Sequence, residues 1–172
     1  LRIRAGDQKG GLDDLEKALS LDGSTAGAIL GQISGIEWTK KYISRGQLLE
    51  ADCCILSGDS GRAFSILEQV DTGTRPARSR VMERIRRLID SGPRKEYFET
   101  ASQLLAGGGE TGAAEAVLRE GIGALGGDEA VDLLITLGGI FEDAGMEKEA
   151  AGCFREVLES SSDRRGILMR IE

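Results

Sequence analysis

An all-α chain of helical hairpins is what this sequence predicts, and three observations carry that expectation. Large apolar residues recur at three- and four-residue spacings, the mark of one buried helix face. The clearest pair of stripes is Leu134, Leu137, Ile140 and Phe141, then Ala150, Phe154, Val157 and Leu158. Glycine punctuates the stripes: there are 25 Gly and only 2 Pro in 172 residues. That is about twice the usual glycine share, as many short helices closed by glycine would require. The stripes also keep a common register. Ala63, Ala114 and Ala150 each stand five residues after Gly58, Gly109 and Gly145, and Leu67, Leu118 and Phe154 stand nine after them.

Taken in order, Gly6 to Ser20 reads as the end of a hairpin, with Gly6 its turn and Leu12, Leu15 and Ala18 on the buried face. Asp13 and Asp14 fall in the expected first turn, where the helix dipole favours acids. Asp22-Gly23-Ser24 breaks this helix, with Ser24 the candidate cap of the next. Residues 25–44 are expected to be helical, carrying Ile29, Leu30, Ile33, Ile36 and Trp38. Gly31 and Gly35 there either admit a neighbouring helix closely or break the segment at Gly35. Gln47 to Val70 is a hairpin turning at Gly58, with Leu48, Ala51, Cys54 and Ile55 on its first helix. Residues 76–91 form an amphipathic helix, started by Pro76 and ended by Gly92-Pro93. Val81, Met82, Ile85, Leu88 and Ile89 share one arc, and Arg80, Arg84 and Arg87 form a stripe beside it. Lys95 to Gly126 is a further hairpin: Phe98, Ala101, Leu104 and Leu105, then Gly107 to Gly109, then Ala113, Ala114, Val117 and Leu118. The hairpin around Gly145 follows, and Asp163 to Glu172 reads as the start of another helix.

The stretch from Val131 to Arg164 resembles the tetratricopeptide repeat family. The family's spacing of large residue, Leu-Gly, Tyr, Ala and Phe is matched here by Leu134, Leu137-Gly138, Phe141, Ala150 and Phe154. Leu134 departs from the usual Trp, Val157 from a small residue and Ser162 from the closing Pro. The turn glycines Gly6, Gly58, Gly109 and Gly145 are 52, 51 and 36 residues apart, so the array is irregular. The resemblance implies one α-α superhelix over residues 1–172, a solenoid of antiparallel hairpins with a groove lined by the first helix of each. It implies a scaffold that binds a peptide or helix of a partner protein in that groove. The groove positions it implies are Arg45, Leu48, Asp52 and Ile55; then Glu96, Glu99 and Gln103; then Asp132, Ile135, Gly139 and Glu142. Family members that clamp a C-terminal carboxylate use Lys and Asn there. The acids and apolar residues of this chain argue instead for a basic amphipathic ligand.

Composition narrows the function classes. The net charge is −7 and the pI about 4.8, a poor balance for nucleic acid. No apolar run reaches the length of a membrane span. Leu1 stands inside an expected helix, so the chain is expected to be a piece of a longer protein, and a signal peptide upstream stays open. Cys53, Cys54 and Cys153 fit neither a disulfide framework nor a metal spacing. They read as buried thiols and favour a reducing, cytoplasmic setting.

With no histidine, the Ser-His and Cys-His nucleophiles and His metal sites are excluded. Gly58-Asp59-Ser60-Gly61 resembles a protease nucleophile segment but reads better as a turn and helix cap. GGGETG (107–112) and GIGALGG (121–127) lack the P-loop ending and follow no strand. No cofactor, metal or catalytic residue is therefore expected. The carboxylates Asp13, Asp14, Glu142 and Asp143 are read as solvated.

The stretch Arg75 to Lys95 sets eight Arg and Lys against Glu83 and Asp90, a local +6 that leaves −13 for the rest of the chain. Its stripe of Arg80, Arg84 and Arg87 is either a solvated face paired with acidic neighbours or a patch for an acidic peptide, an acidic protein face or a phosphate. A self-associating structural domain is the alternative to the peptide scaffold, and a regulatory domain of an enzyme a more distant one.

Overall fold

The computed structural model describes residues 7–34 and 36–160. Gly6, Gly35 and the tail from Asp163 lie outside the described residues. Those that are described form α helices and connecting turns: α1 (Gln8–Leu21), α2 (Ala26–Ile33), α3 (Ile43–Leu56), α4 (Ser60–Leu67), α5 (Arg75–Ser91), α6 (Lys95–Ala106), α7 (Thr111–Leu125), α8 (Gly127–Asp143) and α9 (Glu147–Ser160). The chain divides into two compact units, residues 1–88 and 89–172, with the boundary inside α5.

Three of the hairpins close in the same way. Gly58, Gly109 and Gly145 have φ of 78°, 78° and 71°, the left-handed region that glycine enters without a Cβ clash. The amide that follows each glycine reaches back five residues: Asp59 to the Cys54 carbonyl (2.9 Å), Glu110 to Leu105 (2.9 Å) and Met146 to Phe141 (2.8 Å). This satisfies carbonyls that a helix end leaves open, in the manner of a Schellman turn. The next helix then starts at a fixed distance, with the amides of Ala63, Ala114 and Ala150 bonding back to Asp59, Glu110 and Met146. Ala63, Ala114 and Ala150 are at most 2% exposed. The common register visible in the sequence is thus a common geometry at three turns.

In the first unit, α3 packs on α2, α4 and α1. Its core gathers Leu12, Leu15, Ile29, Ile33, Leu49 and Cys53, fringed by Trp38 and Tyr42. Four expectations are corrected here. The helix expected over residues 25–44 stops at Ile33, and Ser34 turns extended. The 36–42 segment is instead fastened as a loop. Buried Gln8 donates to the Glu37 carbonyl at 3.0 Å and accepts from the Thr39 amide at 3.0 Å and the Thr39 hydroxyl at 2.9 Å. A buried amide satisfied on both sides offsets its desolvation. The second correction concerns close approach. A Cβ on Gly31 would meet nothing within 4 Å, whereas one on Gly46 would lie 2.4 Å from the Trp38 indole. Gly46 is therefore the residue that lets Trp38 lie flat on α3. Third, the cap after the first helix is Asp22, whose carboxylate accepts from the Ser24 amide at 2.9 Å. Because α1 begins at Gln8 with Asp7 as its cap, Asp13 and Asp14 fall beyond its first turn.

In the second unit α6 packs on α7, α7 on α8, α8 on α9, and α6 also meets α8. Phe98, Leu118, Leu133 and Leu137 are fully buried. A Cβ on Gly138 would stand 2.4 Å from the Phe154 ring, so α8 and α9 touch through a glycine and an aromatic face.

Candidate functional site

The implied groove positions fall on one face of each first helix, and the two units present them differently. In the first unit, Arg45 and Asp52 are two turns apart on α3. Arg45 donates from Nε to Glu16 at 2.7 Å, and its Nη2 contacts both Glu16 and Asp13 of α1. The Glu16 hydrogen bonds raise the guanidinium's pKa further, against the opposing effect of burial. Asp52 accepts from Arg84 Nη2 and, at 2.9 Å, from Arg87 Nη1, both on α5. Two members of the basic stripe therefore engage Asp52 of the same unit rather than lie open. Arg80, one turn before Arg84, is exposed and makes no ion pair among the described residues.

Between α1, α3 and α5 these side chains leave a cleft of about 550 Å³. Leu48 and Leu49 line it together with Glu16, Arg45, Asp52, Arg80, Glu83 and Arg84. The sequence reading placed Arg45, Leu48 and Asp52 in one site and Arg80 and Arg84 in another; the fold brings them into one. Ile55, half-buried, does not line it. Arg84 is held at two nitrogens, with Nη2 on Asp52 and Nη1 donating to the Arg80 carbonyl at 2.9 Å. Its Nε is buried and has no acceptor among the described residues. A buried donor left in that state costs about 1–3 kcal/mol.

In the second unit the face is carried by α6 and α8. Lys95 Nζ bonds Asp132 at 2.8 Å across the two helices, which raises the lysine's pKa. Glu99 is half-buried. Its carboxyl pKa is raised, first by burial and then by Asp132 and Glu96, with Lys95 opposing. Glu96, Gln103 and Glu142 are exposed. A Cβ on Gly139 would meet open space. Ile135 packs against the Leu134–Val157 cluster and so belongs to the fringe of the core. By sequence, residues 1–88 hold 14 Lys and Arg against 12 Asp and Glu, and residues 89–172 hold 8 against 17. The first unit is thus +2 and the second −9.

The remaining motifs resolve into local structure. Asp59 caps α4, its carboxylate accepting from the Arg62 amide at 3.1 Å. The two glycine-rich runs are turns together with the body of α7. Cys53, Cys54 and Cys153 are buried free thiols, and burial raises the pKa of each. No group of three Cys, Asp or Glu side chains is arranged to hold a metal ion among the described residues. No helix among them is long and apolar enough to cross a membrane. Asp13 and Glu16, the partners of Arg45, were not singled out as site residues. Pairing them with a cation about thirty residues away needs the α1–α3 contact, which no local pattern encodes. No protein-family model, no curated protein and no solved structure matches this chain.

Proposed function

We propose that the chain is a protein-interaction module of stacked helical hairpins, similar to tetratricopeptide repeats. Its first-helix faces receive a segment of a partner protein. The observation that carries this reading is the triple recurrence of one closure, glycine with positive φ, five-residue backbond and buried alanine, at Gly58, Gly109 and Gly145. A chain that repeats one supersecondary unit gains an extended surface. In the second unit that surface is the α6–α8 face. Its carboxylates Glu96, Glu99 and Glu142 suit a basic amphipathic segment, and the −9 charge of the unit would steer such a segment toward it.

The test is calorimetric titration of the 172-residue chain with a Lys-Leu amphipathic peptide, repeated on the Glu99→Lys, Glu142→Lys double variant. Binding that weakens about tenfold or more in the variant, and that falls with salt, supports the face. Equal affinity for both proteins rejects it.

A second reading, self-association, rests on Leu21, Ile43 and Leu56, which are 77%, 44% and 47% exposed. Large apolar side chains in such positions favour association. A molar mass by light scattering that rises with concentration, and that Leu21→Lys with Leu56→Lys abolishes, would favour it over a monomeric binder.

A further inference from the structure

The geometry points to the cleft of the first unit as a second recognition site: it takes an acidic side chain of a partner peptide, held by Arg80 and Arg84. This goes beyond the α6–α8 reading, lies in a different unit and stands independently of it.

The argument is one of unspent donors. Glu16 is committed to Arg45, and Asp52 to Arg84 and Arg87. Arg80 is exposed and has no ion pair among the described residues. Arg84 is fixed by Asp52 and the Arg80 carbonyl, yet its Nε–H has no acceptor among the described residues. Both arginines line the same cleft one helical turn apart. A carboxylate placed there accepts from Arg80 and, after a small rotation of Arg84, from that Nε–H. Guanidinium groups offer carboxylates paired, planar donors. A volume of about 550 Å³ accommodates a few peptide side chains. Leu48 and Leu49 are only 6% and 2% exposed, so recognition in the cleft rests on its charged side chains. Glu83 is the wall acid with no ion pair among the described residues, and it opposes an anion. That opposition gives the proposal a signature of its own sign.

The experiment titrates the full chain, labelled with nitrogen-15, with a capped Leu-Glu-Glu-Leu peptide, its Leu-Gln-Gln-Leu counterpart and inorganic phosphate. The arginine Nε–H resonances are followed. The expected result is that the Glu peptide moves the Arg84 Nε–H signal and that the Gln peptide binds about tenfold more weakly. Arg80→Gln should weaken the Glu peptide by a similar factor while leaving the thermal midpoint unchanged, because Arg80 bears no ion pair among the described residues. Glu83→Gln should strengthen it about two- to threefold. Arg155→Gln, an exposed arginine on α9, should change nothing. Equal binding of the Glu and Gln peptides, an unmoved Arg84 signal, or no effect of Arg80→Gln overturns the proposal. Phosphate binding as tightly as the Glu peptide does so as well, by assigning the cleft to a free anion.

Discussion

Gly121 and Gly123 lie two residues apart in α7, and the structure gives them opposite fates on substitution by alanine. A Cβ on Gly121 would stand 2.7 Å from Leu133 Cδ1 on α8, and 2.7 Å from Cγ and 2.9 Å from Cδ2 of Phe98 on α6. Ordinary carbon contacts lie near 3.5–4.0 Å, so each would be compressed by nearly an ångström. Neither partner can step aside into solvent, since Phe98 and Leu133 are both 0% exposed. Overpacking of this kind costs about 1–3 kcal/mol, and two buried partners place it in the upper half of that range. Against it, alanine gains about 0.8–1.0 kcal/mol of helix propensity over glycine. Gly121→Ala should therefore lose about 1–2 kcal/mol. Gly123→Ala meets nothing within 4 Å and should gain somewhat under about 1 kcal/mol, because the helix end is near. Urea unfolding followed by circular dichroism measures both. The propensity gain is common to the pair, so the separation between the variants, about 2 kcal/mol or more, isolates the close approach of α6 and α8 to α7. Two variants that shift together, in the same direction and by similar amounts, would refute that packing.

Three other perturbations probe the first unit. Gly46→Ala drives a Cβ into the Trp38 indole at 2.4 Å; the emission of this single tryptophan should move to the red and stability should fall by about 1–3 kcal/mol. Asp52→Asn strips the partner of Arg84 and Arg87, with Arg84 and Asp52 only 17% and 16% exposed, and should cost about 3 kcal/mol in chemical denaturation. Replacing Asp52 with Leu and Arg84 with Met together should recover most of that loss, and a double variant as weak as Asp52→Asn would refute the ion-pair account. Burial, and after it the Asp52 carboxylate, pushes the Cys53 thiol up to about 12. An unfolded thiol ionises near about 8.5, so the stabilising preference for the neutral thiol is intact below that pH and is lost as pH rises toward about 12. The wild type should shed up to about 1.4 kcal/mol per pH unit more than Cys53→Ala across this window, and parallel pH profiles would refute it.

The hairpins were legible because their signals are local. A glycine at the end of an apolar stripe, an alanine five residues on and a large residue nine on are read from one window, and Gly58, Gly109 and Gly145 close as those windows predict. A break in residues 25–44 was legible only as the alternative at Gly35, and the loop that follows α2 was not. Ile36, Trp38 and Tyr42 continue an apolar spacing, but Gln8 claims the backbone at Glu37 and Thr39, and that competition spans some thirty residues. The same distance hid the fate of the basic stripe. Periodicity places Arg80, Arg84 and Arg87 side by side, and only the approach of α3 assigns two of them to Asp52, leaving the third without an ion pair among the described residues. Gly46 and Gly121 are set by what lies opposite them, so no glycine pattern along the chain distinguishes them from Gly31 or Gly123.

The three identical turns also bear on how the chain acquires its structure. Each joins helices that are consecutive in the sequence, and within each unit the packed helices are chain neighbours or next neighbours. Contacts of such short range make folding fast. A ribosome adds about 5–20 residues per second, so well over a second separates one closure from the next, while helix formation takes about a microsecond. The hairpin at Gly58 can therefore close before the residues of α8 exist.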